Sequence, residues 1–199
     1  MQIGKILFPI TTLGPGKRLG IWTQGCARFC HGCSNPELQT FDETKDVSVQ
    51  KIFDGTIDMQ FEGITISGGE PFVQSYELKQ LVELYIDAGF DDILVYTGYT
   101  IEELIDKKNS DIDYILSNIA VLIDGPFLES LVDDIPLRGS SNQRVLVLND
   151  KFKSAYKDFL KQEKKVDIFY FEDETHFIGI PFKGYDELYK KLITMRKKL

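Results

Sequence analysis

Gly63-Ile64-Thr65-Ile66-Ser67-Gly68-Gly69-Glu70-Pro71 runs on into Ser75-Tyr76-Glu77-Leu78-Lys79-Gln80-Leu81-Val82-Glu83-Leu84-Tyr85, with Gly89 a turn later. The first five residues read as a strand and Gly-Gly-Glu-Pro breaks it. Ser75 is then placed to cap a helix in which Leu78, Leu81, Val82 and Tyr85 keep the i, i+3, i+4, i+7 order of one buried face. Strand, turn and helix form one unit of an α/β fold. The unit recurs downstream. Residues 93–96 are a strand ending at Thr97-Gly98-Tyr99, and a short helix begins over 101–105. Two nearly all-apolar runs, 119–123 and 145–148, stop at Asp124-Gly125-Pro126 and Asn149-Asp150. Upstream, 5–10 and 18–23 read as strands either side of Thr12-Leu13-Gly14-Pro15-Gly16, and Val49, Ile52 and Phe53 have helical spacing.

Continuous apolar strands alternating with helices indicate a parallel sheet covered on its faces, curled by right-handed crossovers. A complete eight-fold barrel typically takes about 250 residues. The chain has 199, so the expectation is a partial, open β/α barrel of about five or six parallel strands. A helix over 152–162, a hairpin pairing 166–171 with 176–180, and a final helix from Tyr185 follow. The barrel core is expected over 1–150, with 151–199 packed on it as one domain.

The formal charge is -8, which leaves no overall basic footprint for a phosphate backbone and argues against nucleic acid as a partner. The apolar run at the start is too short for a signal-peptide core, and nothing approaches the roughly 20 apolar residues of a membrane span. A cytoplasmic protein with no membrane partner is expected, and clustered thiols fit a reducing compartment.

All three cysteines fall within Thr23-Gln24-Gly25-Cys26-Ala27-Arg28-Phe29-Cys30-His31-Gly32-Cys33-Ser34-Asn35-Pro36. Three thiolates at C-x3-C-x2-C spacing on one loop can face a common metal centre, and an odd count cannot pair off as disulfides. A closed zinc site and a cubane 4Fe-4S cluster each need four ligands. No fourth cysteine exists, His31 would have to fold back over its own loop, and His176 is remote. A cluster with one open iron is the economical reading. Zinc and ordinary buried or redox cysteines stay open as alternatives.

In parallel α/β folds the carboxyl ends of the strands carry the site. The cysteines, Ser67-Gly68-Gly69-Glu70-Pro71, Thr97-Gly98-Tyr99 and Asp124-Gly125-Pro126-Phe127 all follow successive strands. Glycine there lets backbone groups approach a ligand with no Cβ between, and such a rim suits a small molecule bearing an ammonium and a carboxylate. Each motif alone is as well explained by a turn or a cap, and Asp124, Arg138 and Arg144 by structural roles. Following successive strands, they would share one face.

The cysteine spacing followed by Ser67-Gly68-Gly69-Glu70-Pro71 resembles the radical S-adenosylmethionine superfamily. More narrowly, several motifs in order resemble activating enzymes of the anaerobic ribonucleotide reductase: Gly14-Pro15-Gly16, Trp22 to Cys26, Cys33 to Glu37, Tyr96 to Tyr99, Leu122 to Phe127 and Leu137 to Arg144. The resemblance implies that Cys26, Cys30 and Cys33 hold a 4Fe-4S cluster whose open iron is chelated by S-adenosylmethionine. It further implies a cofactor-binding rim of Ser67, Gly68, Gly69, Glu70, Thr97, Asp124 and Arg138. Where many members have an aromatic residue beside the last cysteine, this chain has Gly32 and Ser34.

The function implied is reductive cleavage of S-adenosylmethionine to a 5′-deoxyadenosyl radical that makes a glycyl radical on a partner enzyme, the anaerobic ribonucleotide reductase being the expected one. A flavodoxin-like or ferredoxin-like protein would donate the electron. A small-molecule enzyme resembling 7-carboxy-7-deazaguanine synthase is the alternative, and a zinc or electron-transfer module without catalysis is the third reading.

Overall fold

The computed structural model describes residues 1–172 and 174–182. A six-stranded sheet in the order β1-β2-β3-β4-β5-β6 forms its centre: β1 (Ile3–Ile10), β2 (Arg18–Thr23), β3 (Gly63–Gly68), β4 (Ile93–Tyr96), β5 (Val121–Asp124) and β6 (Arg144–Val147). The strands β2 to β5 run parallel, while β1 lies antiparallel on β2 and β6 antiparallel on β5. The six strands fall where the sequence puts them, but only the central four are parallel. The reason for the last reversal lies in residues 125–143. Gly125, Pro126, Pro136 and Gly139 break this stretch into a loop with one short 3-10 turn, Glu129–Leu131. Without a crossover helix the chain returns antiparallel.

Both faces of the sheet are covered, which is why its strands read as unbroken apolar runs. Ile64, Ile66, Ile93, Val95 and Leu122 point into a core shared with the helices α1 (Val49–Asp54), α2 (Ser75–Asp87) and α4 (Ser110–Asn118). Leu94, Val121 and Ile123 point the other way, against Leu137 and against Tyr156 and Phe159 of α5 (Lys153–Phe159). Leu78, Leu81, Val82 and Tyr85 of α2 are all fully buried. Ser75 is the first residue of α2 and not its cap. The cap function passes to Glu70, whose side chain accepts from Phe72 N–H at the start of the preceding 3-10 turn, Pro71–Gln74. Gly89 ends α2 in a left-handed conformation (φ +92°) with Phe90 N–H reaching back to Tyr85, a common glycine stop.

The short helix α3 (Ile101–Asp106) starts on a Thr100/Glu103 capping box, and α4 starts on Asn109. The sequence reading places no helix at α4. The hairpin is present as β7 (Asp167–Tyr170) and β8 (Thr175–Ile178), paired antiparallel. The final helix expected from Tyr185 lies outside the described residues. Among the described residues no helix is long and apolar enough to cross a membrane.

At the amino ends of the parallel strands a buried ion pair closes the sheet. Arg18 is fully buried, meets Asp92 at 2.8 Å and donates to Thr65 Oγ1 and Ile64 O at 2.7 Å, while Tyr156 Oη donates to Asp92 at 2.7 Å. This network fastens α5 to the base and leaves the carboxyl ends of the strands as the open face.

Candidate iron-sulfur site

The chain leaves β2 at Thr23 and enters the cysteine loop, which is held from beneath by backbone bonds. Gly25 N–H donates to Leu38 O and Cys26 N–H to Gln39 O, each at 2.8 Å. The Gln24 amide donates to Glu37 O and Thr40 O at 3.1 and 2.6 Å. The loop is thus closed on itself as a platform. Cys26 is buried, Cys30 and Cys33 half-buried. Cys33 N–H turns back to Cys30 O, and Arg28 N–H points at Cys26 Sγ from 3.3 Å. Burial pushes the Cys33 thiol up, with Cys30 and Cys26 adding in the same direction.

The turn after β3 lies directly on this platform. Gly69 N–H donates to Thr23 O and Glu70 N–H to Gly25 O, each at 2.8 Å. Gly68 has φ +120° and a Cβ there would run into the backbone of Thr23; a Cβ at Gly69 would run into the carbonyls of Gly25 and Leu38. Both glycines are therefore required by the contact between the turn and the cysteine loop, before any ligand is considered.

Glu70 extends the contact to the next strand. Its carboxylate, 1% exposed, accepts from Phe72 N–H (3.1 Å), Thr97 Oγ1 (2.8 Å) and Gly98 N–H (2.7 Å). Burial raises its pKa against the pull of these three donors and of Arg28. The cysteine loop, the glycine turn and the turn after β4 form one bonded layer.

Above that layer opens a cavity of about 780 Å³ lined by Cys26, Cys30 and Cys33 and by Ser67, Gly68, Gly69, Glu70 and Thr97. Two of the residues expected at the rim are elsewhere. The Asp124 carboxylate is fully buried, accepts from Ile101 N–H at 2.8 Å and pairs with Arg144, which also reaches Glu102. It joins β6 to the start of α3. Arg138 is bound by Asp133 in the loop after β5. Neither lines the cavity.

Arg28 and residues 177–182 escape the sequence reading, and Phe127, quoted there only as the end of a strand-end motif, takes a definite place. Arg28 lines the cavity, stacks over Tyr99 at 4.8 Å and reaches Glu103 at 3.5 Å, so it ties the cysteine loop to α3. Its place inside the cysteine spacing is the signal that would find it. Phe127 brings its ring beside Gly32, so an aromatic group stands next to the last cysteine although none flanks it in sequence. Residues 177–182 form a further wall, and an apolar strand end reads alike whether it covers a core or a cavity.

The donor set suits a cluster. Three thiols share one cavity wall and the chain has no fourth cysteine, which leaves one metal position of a cubane for another ligand. His31 does not supply it: it is exposed and pairs with Glu129 at 2.9 Å.

A mixed α/β sheet whose parallel strands carry three thiols and a glycine turn round one cavity defines a class, that of iron-sulfur proteins built on an open barrel. Comparison with known proteins narrows it. Residues 12–146 match the 4Fe-4S single cluster domain family. The anaerobic ribonucleoside-triphosphate reductase-activating protein of Vibrio cholerae is 31% identical over 148 residues, 68% of this chain and 92% of that protein. Its Escherichia coli K12 counterpart is 34% identical over 143 residues, 66% of this chain and 89% of that protein. A structure of QueE from Escherichia coli covers 49% of this chain and 52% of its own at 21% identity and a TM-score of 0.42. The chain belongs to the 4Fe-4S single cluster domain family and to that of the anaerobic ribonucleoside-triphosphate reductase-activating proteins. Its cofactor is an iron-sulfur cluster.

Proposed function

We propose that this protein reductively cleaves S-adenosylmethionine and uses the product radical to make a glycyl radical on an anaerobic ribonucleotide reductase. The observation that carries the reading is the single cavity shared by three thiols and the Ser67–Glu70 turn, in a chain of this family. Bound by Cys26, Cys30 and Cys33, a 4Fe-4S cluster would supply the electron for cleavage to methionine and a 5′-deoxyadenosyl radical, taken in turn from a flavodoxin-like or ferredoxin-like donor.

The chain's own residues hold and shield. Ser67, Gly68 and Gly69 line the cavity that the thiols share and would offer polar groups to an amino-acid end bearing an ammonium and a carboxylate. Glu70 is occupied by three donors and keeps the turns after β3 and β4 together. Trp22, Tyr96 and Phe127 line the cavity and would shield from water a radical able to take hydrogen from a peptide Cα.

The test is anaerobic. With reductant, S-adenosylmethionine and the reductase, electron paramagnetic resonance should show the doublet of one glycyl radical, lost when that glycine is changed to alanine. A reductase that stays radical-free while the protein turns over a deazapurine precursor repeatedly would replace this reading with that of a small-molecule enzyme.

A further inference from the structure

Phe127 is presented to the cavity by side chains from the far end of the loop after β5. Ser140, fully buried, accepts from Leu128 N–H at 3.1 Å through its hydroxyl oxygen, the Asn142 amide donates to Pro126 O at 2.7 Å, and the Gln143 amide donates to Gly125 O at 3.0 Å. Three side chains of one short stretch thus fasten the backbone on both sides of Phe127. Gln143 also accepts from Gly139 N–H at 2.8 Å, which closes the stretch on itself.

The ring stands in a slot between two glycines. A Cβ at Gly139 would come to 2.9 Å from it and one at Gly32 to 3.4 Å, and both glycines line the cavity together with Phe127. Gly32 adjoins Cys33, so the slot holds the ring at the edge of the cysteine loop.

The cores do not account for this fastening. Phe127 belongs to none of the three apolar clusters and is half-buried. Trp22 and Tyr96, the aromatic side chains that the strands bring to the cavity, are packed into two of them. Phe127 therefore keeps ring surface for a ligand. S-adenosylmethionine held by its amino-acid end beside the thiols carries its adenine only a few bonds away, and that flat heteroaromatic ring is the part of it that gains from a fixed aromatic face.

Resting on the proposed function, we propose that Phe127 is the residue on which the adenine of S-adenosylmethionine stacks, with Ser140, Asn142 and Gln143 as its positioning residues. The cluster-loaded protein should be titrated anaerobically with S-adenosylmethionine in the absence of any reductase, so that no partner chain contributes. Phe127→Leu, which keeps apolar bulk and loses the ring, should weaken binding about tenfold, within the range that loss of one base-stacking aromatic side chain brings. Phe127→Trp should stay within about threefold of wild type, and iron content should be level throughout. Ser140→Ala should weaken binding when Phe127 is present and add nothing in Phe127→Leu, because it acts through the ring. Unchanged affinity in Phe127→Leu, Phe127→Trp no better than Phe127→Leu, or a Ser140→Ala effect that persists without the ring overturns the inference. Should Phe127→Leu fail to fold or to hold iron, photolabelling of the wild-type protein with 8-azido-S-adenosylmethionine decides: label within residues 125–128 supports the stack, and label only elsewhere refutes it. Wild-type protein that binds no S-adenosylmethionine instead refutes the proposed function itself.

Discussion

Gly69→Ala tests whether the glycine turn serves the ligand or the fold. The added methyl would sit on the carbonyl of Gly25, and at 2.8 Å from that of Leu38; both are backbone atoms that no rotamer change can move aside. Relief requires the turn to lift off the cysteine loop, which breaks Glu70 N–H to Gly25 O and strains Gly69 N–H to Thr23 O, each now 2.8 Å. Overpacking of this kind costs about 1–3 kcal/mol and a lost hydrogen bond about 1 kcal/mol, so about 2–5 kcal/mol is expected in all, the upper end if the strained bond is lost too. For a chain of this length that lowers Tm by roughly 4–20 °C. Gly89→Ala is the control: φ is +92° there too, but nothing lies within 4 Å of the new Cβ, leaving only left-handed strain of about 1–2 kcal/mol. Thermal unfolding of the metal-free proteins by circular dichroism gives both numbers, and iron per chain after anaerobic reconstitution reports the loop. Gly69→Ala that is no less stable than Gly89→Ala and loads iron normally would refute the packing argument and return Gly69 to a purely ligand-binding role.

Substituting any of Cys26, Cys30 or Cys33 by Ala should abolish the about four irons per chain that reconstitution is expected to give; stoichiometric zinc without iron uptake would exclude the cluster. Asp92→Ala leaves Arg18 buried and unpaired, so about 3–5 kcal/mol should be lost in denaturant unfolding; a loss below about 1 kcal/mol would mean that Arg18 finds water. Thr97→Val removes the hydroxyl that donates to Glu70 and accepts from Tyr99 N–H, for a cost of about 1–3 kcal/mol in the same assay; no change would mean that Glu70 is held by its two amide donors alone. The Arg144 guanidinium lowers Glu102 from its ordinary 4.5 to about 2. The folded pKa being the lower, this pair's contribution is present above pH 4.5 and lost as pH falls toward 2; carbon-detected NMR should show the depressed midpoint, and its return toward 4.5 in Arg144→Gln.

Much of the fold was legible because burial on both faces writes itself into strands such as Ile93–Tyr96 and Val121–Asp124 as apolar runs. Strand direction was not, since β6 has the same apolar character whichever way it runs and only the helix-free stretch 125–143 betrays the reversal. Helix α4 was missed because only Ile112 and Ile115 of its residues are buried, too few to mark a helical face. Within the site, the cysteines and the Ser67–Thr97 residues were legible from their order after successive strands. Asp124 and Arg138 follow the same order yet miss the cavity: an aspartate at a strand end can be recruited by an arginine one strand over, a pairing that lies 20 residues away in sequence.

The fate of Asp124 bears on how the Gly68-Gly69 turn should be understood. Both features end parallel strands, but the turn rests on the cysteine loop through backbone atoms while Asp124 spends its oxygens on Ile101 N–H and Arg144. A side chain with two saturated oxygens has nothing left for a ligand, whereas the Cys26, Cys30 and Cys33 thiols, held by a platform of main-chain bonds, remain available. Rigidity and availability therefore come from different groups here. The backbone and the buried Glu70 fix the geometry, and the sulfurs keep the chemistry. Changes to Glu70 or Gly69 should accordingly appear first as instability and lost iron.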